Sequence, residues 1–177
     1  MSDVDEIAVL GVPYDQNSSF LQGSAAAPDK IREAFFSPSA NLWAENGINL
    51  EDRSQWQTIS DLETDSPPAA FEKIKHRLST LLEKRAPIIS LGGDHSITYP
   101  IIEAHSQKYS DLSILHLDAH PDTYHDFEGN PFSHASPFAR IMEKGLVKRL
   151  VQAGIRTMTG HQKEQNQHLG MEVIAMN

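Results

Sequence analysis

Apolar positions along the chain alternate between short continuous runs and sets spaced as on a helix. Residues 7–10 form a short run that stops at Gly11 and predict a strand. Residues 26–36 predict a helix, with Pro28 near its start and Ile31, Phe35 and Phe36 on one side. Residues 37–47 read as loop, and a short strand is expected over 58–62. After Pro67 and Pro68, Phe71, Ile74, Leu78, Leu81 and Leu82 recur at helical spacing. Residues 87–91 are a compact apolar run closed by Gly92 and Gly93, which suits a buried strand. Residues 97–109 predict a helix that tolerates Pro100 only in its first turn. Strands are expected at 112–117, 149–153 and 172–176, with a helix at 138–143 and a polar helix between the last two strands.

Strand and helix in alternation imply βαβ crossovers. The expected fold is α/β: one domain over residues 1–177, a three-layer α/β/α sandwich around a mostly parallel sheet. In such sheets functional groups gather just past the carboxyl ends of the strands. That rule directs attention to the residues after Leu91 and after Leu117.

Composition narrows the partners. The 177 residues are 39% hydrophobic and 22% charged, an ordinary soluble balance, and the formal net charge is −9. Such a surface repels nucleic acid and anionic membranes, so neither is expected, and it favours a small cation. Cysteine is absent, which excludes disulfides and thiolate chemistry. The acidic start from Met1 to Glu6, and the lack of any long apolar run, do not resemble a secretory signal, and a cytoplasmic location is expected.

The first candidate group is Ser90-Leu91-Gly92-Gly93-Asp94-His95-Ser96. Paired glycines permit a sharp exit from the strand, and His95 then stands at a strand-to-helix junction. A packed loop histidine is the plainer alternative. The second is His116-Leu117-Asp118-Ala119-His120-Pro121-Asp122. Asp118, His120 and Asp122 are two residues apart, and on an extended segment they share a side. Two carboxylates and an imidazole so close need a cation to offset their repulsion, unless the segment is simply a solvated loop. Without thiolate, such donors suit manganese, magnesium, iron or zinc. The third is Phe132-Ser133-His134-Ala135-Ser136, where His134 could carry a proton to a leaving amine.

These three groups, in this order, resemble the ureohydrolase family of arginases, agmatinases, guanidinobutyrases and formiminoglutamases. Gly11-Val12-Pro13-Tyr14-Asp15, the stretch from Gly23 to Arg32, and Gly154-Ile155-Arg156 extend the resemblance over nearly the whole chain. The resemblance implies a binuclear manganese (Mn2+) site. His95, Asp118 and Asp122 would serve one ion, and Asp118 and His120 the other. It also implies His134 as the proton-transfer histidine. Tyr124 after Asp122-Thr123 looks like agmatinases more than arginases, so hydrolysis of a small cationic guanidino substrate, agmatine, to putrescine and urea is expected. Guanidinobutyrate, formiminoglutamate and arginine are the alternative substrates within the family. An inactive truncated paralogue acting as an interaction module, and a mononuclear zinc hydrolase using His95, Asp118 and His120, are the alternatives outside it.

The pattern departs from the family's at one point. Members supply a further Asp-x-Asp pair on a later strand, whereas here the only aspartate after Asp122 is Asp126, and Asp3 and Asp5 are the only pair so spaced. Two divalent ions ~3.5 Å apart repel by roughly 19 kcal/mol at an effective dielectric of ~20, and carboxylates must offset that. The expectations are therefore at most one tightly bound Mn2+, doubtful turnover, a sheet incomplete at its C-terminal side, and association into a homo-oligomer.

Overall fold

Residues 7–52, 56–63, 69–84 and 87–176 are described in the computed structural model of the chain. The uncharged run Ile7–Val12 forms β1 and leads to α1 (Ala27–Phe35), which has Pro28 in its first turn. Then follow β2 (Trp56–Thr58), α2 (Ala69–Glu83), β3 (Ile88–Gly92) and α3 (Thr98–Lys108), with Pro100 in its first turn as expected. The last elements are β4 (Ser113–Leu117), α4 (Pro137–Glu143), β5 (Arg149–Ile155), α5 (Gly160–His168) and β6 (Glu172–Ala175). Pro67, Pro68, Asp3, Asp5 and the rest of residues 1–6 lie outside the described residues.

Two local outcomes differ from the pattern reading, and one residue explains both. β1 runs on through Gly11 because that position requires close approach, not a stop. A Cβ there would lie 2.3 Å from the Asp61 carboxylate. Asp61 accepts the Gly11 N–H at 3.1 Å and forms an ion pair with Arg32. Its side chain thus takes a donor that a ladder carbonyl would need, so β2 ends at Thr58 instead of spanning 58–62. Arg32 holds the Asp61 carboxyl below the usual carboxylate range, chiefly through this hydrogen bond. The polar segment before β6 folds as α5 through a capping box. Thr159 Oγ1 accepts from Gln162 N–H, and the Gln162 side chain accepts from Thr159 N–H.

The α/β fold with parallel strands is as expected; among the described residues the strands are divided between two three-stranded parallel sheets, ordered β2-β1-β3 and β4-β5-β6. Leu10 and Val12 of β1 pack under Ile74, Leu78 and Leu81 of α2 and Ile97 and Ala104 beside and on α3. Leu150 of β5 packs under Tyr99 of α3 and Phe138 and Ile141 of α4. Each such fully buried side chain contributes about 1.5–3 kcal/mol. Asn166 of α5 donates to Gln152 of β5, so α2, α3, α4 and α5 all cover the same side. On the opposite side α1 lays Ile31, Phe35 and Phe36 over Val9, Ile89 and Leu91 around an apolar pocket. The third layer is therefore α1 alone among the described residues. Leu115 and Leu117 of β4 and Ile174 of β6 stay exposed at 65%, 72% and 60%. No helix among the described residues is long and apolar enough to cross a membrane.

Candidate metal centre

The exit from β3 is shaped by one close backbone contact. A Cβ on Gly93 would lie 2.0 Å from the Tyr14 carbonyl oxygen. That oxygen accepts the Asp94 N–H at 2.8 Å, so only glycine lets the two segments meet. Asp94 then caps the short turn His95–Ile97, one carboxylate oxygen accepting the Ser96 N–H at 2.9 Å and the other the Asn17 N–H at 2.9 Å. The cap aims His95 toward the end of β4. There its Nδ1 meets Asp122 Oδ2 at 2.6 Å, and its ring sits edge-on to Phe138, 5.4 Å between centroids.

β4 contributes His116, and Asp118 follows directly after its last residue. His116 is buried against Phe138, 4.2 Å between ring centroids. Gln152 Nε2 donates to the Pro121 carbonyl at 2.6 Å and lies 3.2 Å from His116 Nδ1. An amide nitrogen has no lone pair to offer, so His116 Nδ1 is the acceptor and Nε2 carries the hydrogen. That Nε2 lies 3.4 Å from Asp118 Oδ2, outside hydrogen-bond geometry, and is a buried polar atom with no hydrogen bond among the described residues. Burial, followed by the neighbouring His95, lowers the His116 pKa and favours the neutral ring. For Asp118, burial pushes the pKa up. The His120 N–H at 2.9 Å, together with His116 and His95, outweighs burial and holds the carboxyl below its usual range. Donor atoms of His95, His116 and Asp118 all lie within 4.8 Å of one another.

Three of the predicted residues, His95, Asp118 and Asp122, thus converge. They do not do so by the expected route. Asp122 has φ 48, so the segment is not extended and its alternate side chains do not share a side. The backbone is bent by β5 and its exit: the Ala119 carbonyl accepts from Arg156 and Thr157 N–H, and Pro121 is held by Gln152. This turn leaves His120 at the rim, with its side chain 58% exposed and Nδ1 3.5 Å from Asp118 Oδ1. His134 sits further off in the β4–α4 connection. Its Nδ1 lies 3.0 Å from the Asn17 carbonyl, and none of its hydrogen bonds among the described residues reaches the carboxylate–imidazole group.

Pattern reading gave no role to His116, Gln152 or Asn17. His116 had a signal, since a residue two before Asp118 on one strand shares its side. Gln152 had a weaker one, a polar residue inside an apolar run. The donor set suits a divalent cation: the imidazole of His95 with the carboxylates of Asp122 and of an ionised Asp118, without thiolate.

The arginase family model matches residues 5–177. A mitochondrial arginase of Medicago truncatula is 44% identical over 96% of this chain and 53% of its own length. An N(1)-aminopropylagmatine ureohydrolase of Thermus thermophilus is 37% identical over 86% of this chain and 51% of its own. The solved structure of the Medicago truncatula arginase superposes with a TM-score of 0.89 and 40% identity, covering 97% of this chain and 57% of that one. The chain spans about half the length of the curated relatives it matches.

Proposed function

The chain belongs to the arginase family, and from that premise we propose that it carries part of a manganese-dependent amidinohydrolase site acting on a guanidino cation, agmatine first. The observation that carries this reading is the meeting of His95 and Asp122 beside Asp118, at the ends of strands from two different sheets. When bound, a divalent ion supplies Lewis acidity and lowers the pKa of water at the site. His95, Asp118 and Asp122 would hold it, with Asp118 offering two oxygens and His120 approaching from the rim. His116 Nε2–H, 3.4 Å behind the Asp118 carboxylate, stands where outer partners of metal ligands stand and would close on it when the ion is bound. His134 would hand a proton to the departing amine.

Agmatine is favoured by the net charge of −9, which draws in a dication without a carboxylate, and by Tyr124. Arginine is the second reading, supported by the 44% identity to a protein named arginase. Urea release measured with manganese over agmatine, arginine and guanidinobutyrate separates them. Agmatine is expected to give the largest kcat/KM, and arginine exceeding it tenfold would transfer the assignment.

Self-association is proposed on the bare sheet face. Leu115, Leu117 and Ile174 form an apolar surface of the kind that seeks a partner. Sedimentation is expected to give a mass above 19.7 kDa that grows with concentration. Lysine at both 115 and 117 should shift it toward the monomer. A concentration-independent monomer in the unmodified chain would refute the proposal.

A further inference from the structure

We infer that Asn17 is a positioning residue for His134, fixing its ring so that Nδ1 carries the hydrogen and Nε2 is the nitrogen left to exchange a proton. The inference rests on the reading of His134 as the proton-transfer group. Asn17 lies in the loop after β1, far in sequence from every other part of the site, and is buried with 7% exposure. Each of its polar groups is used. Its backbone N–H donates to Asp94 Oδ2 at 2.9 Å, and its Nδ2 donates to Ser96 Oγ at 3.2 Å. Its Oδ1 accepts from Asn130 Nδ2 at 3.1 Å. Its carbonyl oxygen faces both the backbone N–H of His134 at 3.3 Å and the ring Nδ1 at 3.0 Å.

A carbonyl oxygen can only accept, so the Nδ1 opposite it must bear the hydrogen. Were Nδ1 bare, two lone pairs would face each other at 3.0 Å in a partly buried loop. The neighbouring Ser133 Oγ, 3.2 Å from the same nitrogen and accepting the Ala135 N–H, is compatible with this assignment. Asp94 and Ser96 flank His95, and Asn130 lies in the loop that carries His134. Asn17 therefore ties the turn presenting one functional imidazole to the loop presenting the other. The role needs an amide. Aspartate would lose the donor to Ser96 and bring a second charge beside buried Asp94, and alanine would lose both links.

The test is the tautomer of His134, read by two-bond 1H–15N correlation in the histidine-labelled 177-residue chain at a pH where the ring is neutral. The His134→Gln variant assigns the signal. The unmodified chain is expected to show a protonated Nδ1 and a bare Nε2. Asn17→Ala should move the ring toward the Nε2–H form that dominates free histidine, and Asn130→Ala should move it less in the same direction. His116, held by Gln152, should not change in either. A tautomer with hydrogen on Nε2 in the unmodified chain overturns the inference without any variant. So does an unchanged His134 signal in folded Asn17→Ala, or in Asn130→Ala should the first variant not fold. The readout is independent of turnover. Expected spectra together with undiminished urea release by His134→Gln would leave the positioning intact and remove the proton-transfer reading instead.

Discussion

Gly93→Ala is expected to lower the unfolding free energy by about 3–5 kcal/mol, a large share of the ~5–15 kcal/mol typical of a domain. The added methyl would lie 2.0, 2.7 and 3.0 Å from the oxygen, carbonyl carbon and nitrogen of Tyr14. All three are backbone atoms and cannot rotate away. Either the segment after β1 or the exit from β3 must move, at a cost of about 1–3 kcal/mol for such overpacking. That movement breaks the Asp94 N–H bond to Tyr14 and strains the Asp94 cap, adding about 1–3 kcal/mol for buried groups left unpaired. Gly160→Ala is the control. That position has open space for a Cβ and an ordinary φ, so alanine should be neutral or stabilising by up to about 1 kcal/mol. Denaturant melts of the two variants and the parent give the comparison. A Gly93→Ala chain as stable as its parent would mean that the contact between Tyr14 and Gly93 does not exist as described.

That contact marks the boundary of what the sequence makes legible. α2 could be read because one apolar stripe at helical spacing faces one core, so the pattern and its burial are the same fact. β3 and β4 could be read because their apolar runs end where the chemistry begins. His95, Asp118 and Asp122 stand out in the sequence for that reason, and the structure brings them together, although Asp122 at φ 48 is not on the extended segment the pattern suggests. The turn placing Asp122 at φ 48 is imposed by hydrogen bonds from β5 and its exit, more than thirty residues downstream, and local periodicity carries no trace of them. The same holds for β2, cut short by a side chain that reaches Gly11, and for Asn17, whose partners stand up to 117 residues away. The division into two sheets was equally invisible. Each strand pattern records that a strand is buried, not which strand lies beside it.

Asp118→Asn is expected to weaken manganese binding by at least about 100-fold, more than any other single substitution at the site. Loss of a second-layer partner alone typically costs 10–100-fold, and Asp118 is the carboxylate the others are arranged around. The chain already favours its charged form: the His120 N–H, His116 and His95 overcome the opposing effect of burial. Asparagine keeps the shape and removes the charge. His116→Ala should cost about 10–100-fold, because its Nε2–H stands 3.4 Å behind the Asp118 carboxylate as an outer partner and offers no lone pair to the ion itself. His120→Ala should cost less than either, since its imidazole stands at the rim and is mostly exposed. This order separates the geometry of the chain from the family pattern, which would rank His120 as a full ligand. Calorimetric titration with manganese chloride gives both affinity and number, and one tight ion per chain at most is expected. Asp118 and Asp122 bring two negative charges against the +4 of an ion pair, a deficit that neutral imidazoles do not reduce. Two tightly held ions per chain, or a His120→Ala loss equal to that of Asp118→Asn, would show that the rim histidine turns inward on metal binding and that the cluster closes around a second ion.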